Sequence, residues 1–539
     1  MAISELSLSF FIFYNSLSIS FSNYASLAAP SSDSICNLTP YPTFCESNSP
    51  STGQPNIHGY GRFFADNSLS SSKKFVSLVS KYLKKSPSSK FPNSTMLALE
   101  DCYLLGNLNM GFWKRTQKSI NNTNTLSNSE AENLHTLLSA TLTNYDTCLN
   151  SIHETTSSPD DELLTHLSNG TMFYSISLAF FKRGWVANDA ERNGHVWEQM
   201  VYEVVRTRGR KLLQLGPDNV VVRQRVVVNP DGSGNFTTIN DAVAAAPNNT
   251  GSSDGFFVIQ VVAGVYEEYV SIPKNKQYLM MIGDGINQTI ITGNRSVLDG
   301  WTTFNSATFA VVAEGFVAIN ITFRNTAGAI KHQAVALRSG ADLSAFYNCS
   351  FEGYQDTLYT HSLRQFYRNC DIYGTVDFIF GNAAVVLQDC NIHPRLPLQN
   401  QFNAITAQGR TDINQNTGTS IHNCSITAAS DLATSNGTTK TYLGRPWKQF
   451  SRTVYMQSFM DSLIDPAGWV AWSGDFALDT LYYAEFDNSG PGSNTTDRVT
   501  WPGYHLINAT DAVNFTVANF ILGAAWLPAT GVPFLPHLL

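Results

Sequence analysis

Charge is scarce in this 539-residue chain: Asp, Glu, Lys and Arg make up 14% of it, against about 25% in an ordinary soluble domain. With 43% hydrophobic residues, that shortage excludes a charge-rich disordered chain and a coiled coil, so the protein is expected to fold. Basic charge is scarcer still. Lys+Arg 34 against Asp+Glu 42 leave a net charge of −8, which supplies no field for a phosphate backbone, and nucleic acid is not an expected partner. Long apolar runs are missing too. The stretch from Leu6 to Tyr14 is too short to span a bilayer. Followed by Ser26-Leu27-Ala28-Ala29, it reads as a signal peptide over residues 1–29, although Glu5 stands where a basic start is usual.

Chemical signatures are absent as well. No Cys-x-x-Cys pair occurs, so the eight cysteines read as disulfide candidates in an oxidising compartment rather than as metal ligands. Without Gly-x-Ser-x-Gly, His-Glu-x-x-His or a P-loop, a serine esterase, a zinc hydrolase and a nucleotide enzyme each lack their working parts. Asn-x-Ser/Thr acceptors recur, at Asn37, Asn93, Asn169, Asn235, Asn287, Asn320 and Asn494, and their density fits a secretory route.

The chain has two halves of different period. Over 30–206 apolar residues fall at helical intervals: Phe75, Leu78, Val79 and Leu83, then Leu134, Leu137, Leu138 and Leu142. Cys102 and Cys148 lie in helical text and could staple two helices, while Cys36 and Cys45 bracket a segment whose Pro40 and Pro42 disfavour helix. A four-helix bundle with two disulfides is expected. A basic linker over 207–222 follows, containing Arg208-Gly-Arg-Lys-Leu-Leu213. Such a run is ordinarily a solvated linker; in a secreted chain it is also where a processing protease would cut.

From 223 to 539 short β-rich runs alternate with Gly, Asn and Asp, for example Val226-Val-Val and Phe256-Phe-Val-Ile. Asn348-Cys-Ser-Phe, Asn369-Cys-Asp-Ile, Asp389-Cys-Asn-Ile and Asn423-Cys-Ser-Ile share one form, with a first period near 20. That is the signature of a β-solenoid, and a right-handed parallel β-helix is expected, with a β-sandwich as the alternative. The longer step to Asn423 implies an inserted loop at roughly 394–415.

The repeat aligns chemistry. Asp356 and Asp377 each follow a repeat cysteine by the same interval, so stacked coils would place them one rung apart, about 4.7–4.9 Å. Two carboxylates that close should split into an acid and a base or nucleophile. An Asp ladder bound to amides or a metal stays open on spacing alone. The aromatics in Gly353-Tyr-Gln-Asp-Thr-Leu-Tyr359 and Gly374-Thr-Val-Asp-Phe-Ile-Phe-Gly381 suit sugar faces better than a hard cation, but do not separate sugar-bond cleavage from ester cleavage.

Those two blocks, with Tyr442-Leu-Gly-Arg-Pro-Trp447, resemble the signature blocks of plant pectin methylesterases from about Val226 to Phe534. The helical half resembles the pectinesterase-inhibitor-type pro-region that precedes many of them, and Arg210, Lys211, Leu212 and Leu213 resemble its subtilase processing site. The resemblance implies hydrolysis of galacturonate methyl esters in cell-wall pectin by a secreted, monomeric enzyme without cofactor or metal. Its implied partners are methyl-esterified pectin, a proteinaceous pectinesterase inhibitor and a processing subtilase.

Carried over residue by residue, it makes Asp377 the nucleophile, Asp356 the proton donor and acceptor, and Gln333 and Gln355 the oxyanion donors. Arg445 orients the nucleophile. Trp447, Tyr359, Phe380 and Thr326 contact substrate. It also implies a Cys370–Cys390 disulfide, with Cys349 and Cys424 reduced. A β-helical pectate lyase or polygalacturonase would share fold and polymer; an inhibitor or wall-binding protein would use the second half as a scaffold only.

Overall fold

The computed structural model describes residues 35–50, 56–84, 92–156, 160–186, 220–435 and 439–539. The signal segment and the Arg210–Leu213 site lie outside the described residues. The helical half has a short helix, α1 (Pro42–Ser47), that carries Cys45 of the Cys36–Cys45 bridge. Pro42 does not exclude helix there, because a first-turn proline gives up an N–H that would have no partner anyway. Four long helices follow: α2 (Ile57–Lys84), α3 (Asn93–Ile120), α4 (Asn128–Thr155) and α5 (Asp161–Trp185). Ser127 caps α4 by accepting from Glu130 N at 3.3 Å, and Asp160 caps α5 by accepting from Leu163 N at 3.1 Å. The Cys102–Cys148 bridge ties α3 to α4, and the expected four-helix bundle is present. No helix among the described residues is long and apolar enough to cross a membrane.

From Val222 onward the chain winds as a parallel β-helix, with faces of 11, 8 and 7 strands. Successive coils stack in register: Phe323 pairs with Phe351, which pairs with Ile372, which pairs with Ile392. These inward residues form the core, in which Phe323 stacks on Phe351 with centroids 5.6 Å apart. The sequence repeat now has a physical cause. Asn320, Asn348, Asn369, Asp389 and Asn423 all take positive φ, from 50° to 60°, at the bend between two faces. Asn and Asp tolerate that left-handed conformation better than other residues with a Cβ. They also ladder between coils: Asn348 Nδ2 donates to Asn320 Oδ1, and Asn423 Nδ2 to Asp389 Oδ1, both at 2.5 Å.

Two expectations need correction. The segment 394–415 is not a simple loop, because Asn403–Gln408 is a paired strand of the seven-stranded face; the extra length lies on either side of it. Cys370 and Cys390 are free thiols, buried like Cys349 and Cys424. Stacked inward positions of a parallel ladder point the same way, and each sulfur donates to a carbonyl of the preceding coil, Cys370 to Phe346 O at 3.5 Å and Cys390 to Tyr367 O at 3.6 Å.

The two halves dock through one continuous apolar cluster. Phe304, Val335, Tyr359, Phe380 and Ala407 of the β-helix join Leu134, Leu138, Tyr145 and other residues of the bundle. Polar pairs surround it: Arg364 Nη1 donates to Asn133 Oδ1 at 2.7 Å, Gln415 Nε2 to Ser139 O at 2.8 Å, and Lys448 Nζ to Asp146 Oδ1 at 2.8 Å.

Candidate active site

Asp356 and Asp377 occupy equivalent bends on neighbouring coils. Both have positive φ, 63° and 54°, and Asp356 N donates to Val376 O at 3.1 Å, while two residues on Leu358 pairs with Ile379. The left-handed bend lifts each carboxylate out of its strand, and because the coils are in register the two are brought together as expected. Both are buried, 7% and 6% exposed.

Arg445 follows the strand Thr441–Gly444 and grips Asp377 with both prongs, Nε to Oδ1 at 2.7 Å and Nη2 to Oδ2 at 2.8 Å. Its guanidinium lies 4.3 Å from the ring of Trp472, which limits its freedom to turn. The electrostatics divide the pair. Burial raises the pKa of Asp377, while the Arg445 hydrogen bonds and charge oppose that rise. Burial pushes Asp356 well above the carboxylate range, and the charges of Asp377 and Glu154 push it further. Of the two, Asp356 is pushed the more strongly toward its protonated form, while Arg445 favours the charged form of Asp377.

A cavity of about 240 Å³ lies over the pair. Gln333 and Gln355 line it, and no hydrogen bond among the described residues ties up either side-chain amide. Tyr359 and Phe380 stack with centroids 4.1 Å apart, and Trp447 meets Phe380 edge-on at 6.0 Å. Thr326 is not brought to this cavity: it is exposed, and its hydroxyl donates to Gly293 O at 3.1 Å.

Sequence reasoning missed part of the lining. Trp472 had no motif to mark it. Thr147, Asn150, Ser151 and Glu154 of α4 form the roof of the cavity, which no local pattern could reveal, because it depends on how the two halves dock.

The fold, with an arginine-clamped aspartate pair in an aromatic-walled cleft, defines a parallel β-helical enzyme whose cavity presents paired carboxylates. A family model described as Pectinesterase matches residues 225–524, and one described as Plant invertase/pectin methylesterase inhibitor matches residues 30–180. The chain is 56% identical over 536 residues to the probable pectinesterase/pectinesterase inhibitor 20 of Arabidopsis thaliana, covering 95% of this chain and 94% of that protein. It is 56% identical over 400 residues to pectinesterase 2 of Citrus sinensis, covering 74% and 75% of the two chains. A solved pectin methylesterase from carrot aligns with a TM-score of 0.57 and 58% identity, covering 58% of this chain and 98% of its own. The chain belongs to the pectinesterase family, with an inhibitor-like domain ahead of the β-helix. The carrot structure matches 58% of this chain over 98% of its own, and the β-helix here has cores of its own beside the apolar cluster that it shares with the bundle.

Proposed function

We propose that this protein hydrolyses galacturonate methyl esters of cell-wall pectin outside the cell through a covalent Asp377 acyl-enzyme, and that its helical half covers the cleft until the 207–222 linker is cut. The observation that carries the chemistry is the bidentate Arg445–Asp377 clamp beside a raised Asp356. An Asp377 oxygen attacks the ester carbonyl carbon. The resulting oxyanion is met by the amide N–H groups of Gln333 and Gln355, donors that matter only once charge appears on that oxygen. The C–O bond breaks, and Asp356 gives its proton to the departing methoxide, releasing methanol. Asp356, now a carboxylate, takes a proton from water as its oxygen attacks the acyl carbon. Asp377 leaves as carboxylate and the product acid departs, restoring both residues.

Methanol release by the segment from Val220 onward, without new ultraviolet absorbance or reducing ends, tests the reading against a lyase or a glycosidase. Asp356→Asn in that segment should lower turnover by roughly 10²–10⁴-fold through loss of both proton transfers; a smaller loss would remove Asp356 from the mechanism.

Arg445→Lys should lower turnover by about 10²-fold although charge is kept, because an ammonium cannot form two parallel bonds. The pH profile supplies a second readout. Arg445 lowers the pKa of Asp377, so weakening it lets Asp377 hold its proton to higher pH, and the acid limb of kcat should move upward. An unmoved limb would mean that Arg445 does not keep Asp377 ionised.

A further inference from the structure

Gln355 has no side-chain partner to aim it. Its amide lines the cavity without a hydrogen bond among the described residues, so its direction is set by the backbone turn 353–357. Neighbouring coils hold part of that turn: Ala334 N donates to Gln355 O at 3.2 Å, Thr375 N to Tyr354 O at 2.9 Å, and Asp356 N to Val376 O at 3.1 Å. A further hold comes from farther along the chain.

Arg395 begins the extra length between the strands Asn391–Pro394 and Asn403–Gln408. Pro394 pairs with Gly374, and Arg395 N donates to Gly374 O at 2.7 Å; from there the side chain reaches back to the coil of Gly353. Its Nη1 donates to Gly353 O at 3.0 Å, its Nη2 to the Tyr354 hydroxyl at 2.8 Å, and the guanidinium lies 3.9 Å from the centre of the Tyr354 ring. On the other side Asp431 accepts from Nε at 3.2 Å and from Leu396 N at 3.3 Å, while Asn403 Nδ2 donates to Arg395 O at 2.9 Å and closes the base of the loop. Each guanidinium nitrogen thus has a partner, and Arg395 itself does not line the cavity. The ion pair is partly exposed, 26% and 34% for the two side chains, and such pairs contribute little to stability. A planar fork stacked on a ring fixes direction instead, and a misplacement of about 1 Å far from the chemistry can cost roughly 10²-fold in rate.

We propose that Arg395 is a positioning residue for the oxyanion: by holding the backbone of Gly353 and Tyr354 it fixes the direction in which Gln355 presents its amide N–H groups. The inference rests on the role given to Gln355 above. Arg395 touches neither substrate nor reacting atoms, and its effect is confined to the step in which charge appears on the ester oxygen. It therefore acts on kcat and leaves KM nearly alone.

The test measures methanol release from methyl-esterified oligogalacturonide by the full chain cut in its 207–222 linker, every variant cut in the same way. Arg395→Met, which keeps the stem over Tyr354, is expected to lower kcat about 30-fold with KM within about twofold of wild type. Arg395→Lys should recover part of that loss, since an ammonium can meet Gly353 O but cannot supply the fork and the stacked face together. The deciding comparison is made on Gln355→Ala: there Arg395→Met should cost less than about threefold, because the donor that it aims is already gone. A generally loosened fold would lower kcat by the same factor in both backgrounds. Tyr354→Phe, which loses one hydrogen bond and keeps the ring, makes the same comparison if the Met variant does not fold, with an expected loss of about threefold on wild type and none on Gln355→Ala. Equal losses in the two backgrounds, or an unchanged kcat in Arg395→Met, overturn the positioning role. No methanol from the cut wild-type chain would overturn the methylesterase reading and the inference with it.

Discussion

Asp377→Asn should abolish methanol release, lowering turnover of the segment from Val220 onward by roughly 10⁴-fold or more, while de-esterified oligogalacturonide still binds. The amide matches the carboxylate in shape, so the fold and the aromatic wall of Tyr359, Phe380 and Trp447 should be kept. What is lost on the proposed mechanism is the nucleophilic oxygen, and Asp356 is a poor substitute because burial and the charges of Asp377 and Glu154 push it toward its protonated form. Removing the Asp377 charge also removes one cause of that retention, so Asp356 should titrate at a lower pH in the variant. The Asp356→Asn, Asp377→Asn double variant should be hardly worse than Asp377→Asn alone, since the two residues act in one sequence of bond changes. Methanol release within tenfold of wild type in Asp377→Asn would remove it as nucleophile.

The parts of the molecule readable from sequence are those set by local rules repeated many times. Asn and Asp before each repeat cysteine mark the left-handed bends, and once the coils are in register, Asp356 and Asp377 must neighbour each other. Cys102 and Cys148 were legible as a helix staple for the same reason, since both sit in helices of unmistakable period. The failures lie where geometry overrides a local cue. Pro42 starts a helical turn, a strand hides inside 394–415, and Cys370 and Cys390 meet neighbouring carbonyls as thiols. Thr326 sits in a familiar-looking block but faces Gly293. Asp101 and Glu154 carried no signal at all, because their meaning depends on the docking of two separately periodic halves.

That docking supports the second large effect: the uncut chain should turn over esterified pectin at least about 10²-fold more slowly than the segment from Val220 onward, and replacing Arg210 and Lys211 with alanine should hold the protein in the slow state. Residues of α4 form the roof of the cavity over Asp356 and Asp377, and Tyr359 and Phe380 are buried against the bundle; on the proposed reading a polymer reaches the pair once the helices lift. A hundredfold suppression requires the closed arrangement to be favoured by only ~3 kcal/mol, which a buried apolar cluster with several satisfied polar pairs can supply.

The same interface carries a pH dependence whose sign follows from its carboxylates. Burial raises Asp101 to about 7, the Thr302 hydrogen bond and the Arg338 charge only partly opposing it, and burial raises Glu154 as well. Released into water, both return to the ordinary carboxylate range, so docking takes up protons. Closure is then strongest at acidic pH, below the ordinary carboxylate value, and is lost as pH rises through about 7. With the linker nicked and both pieces present, activity relative to the free segment should therefore climb as pH is raised. Asp101→Asn with Glu154→Gln should flatten that climb, because neither amide titrates. An uncut chain as active as the free segment at every pH would show that the helical half does not obstruct the cleft.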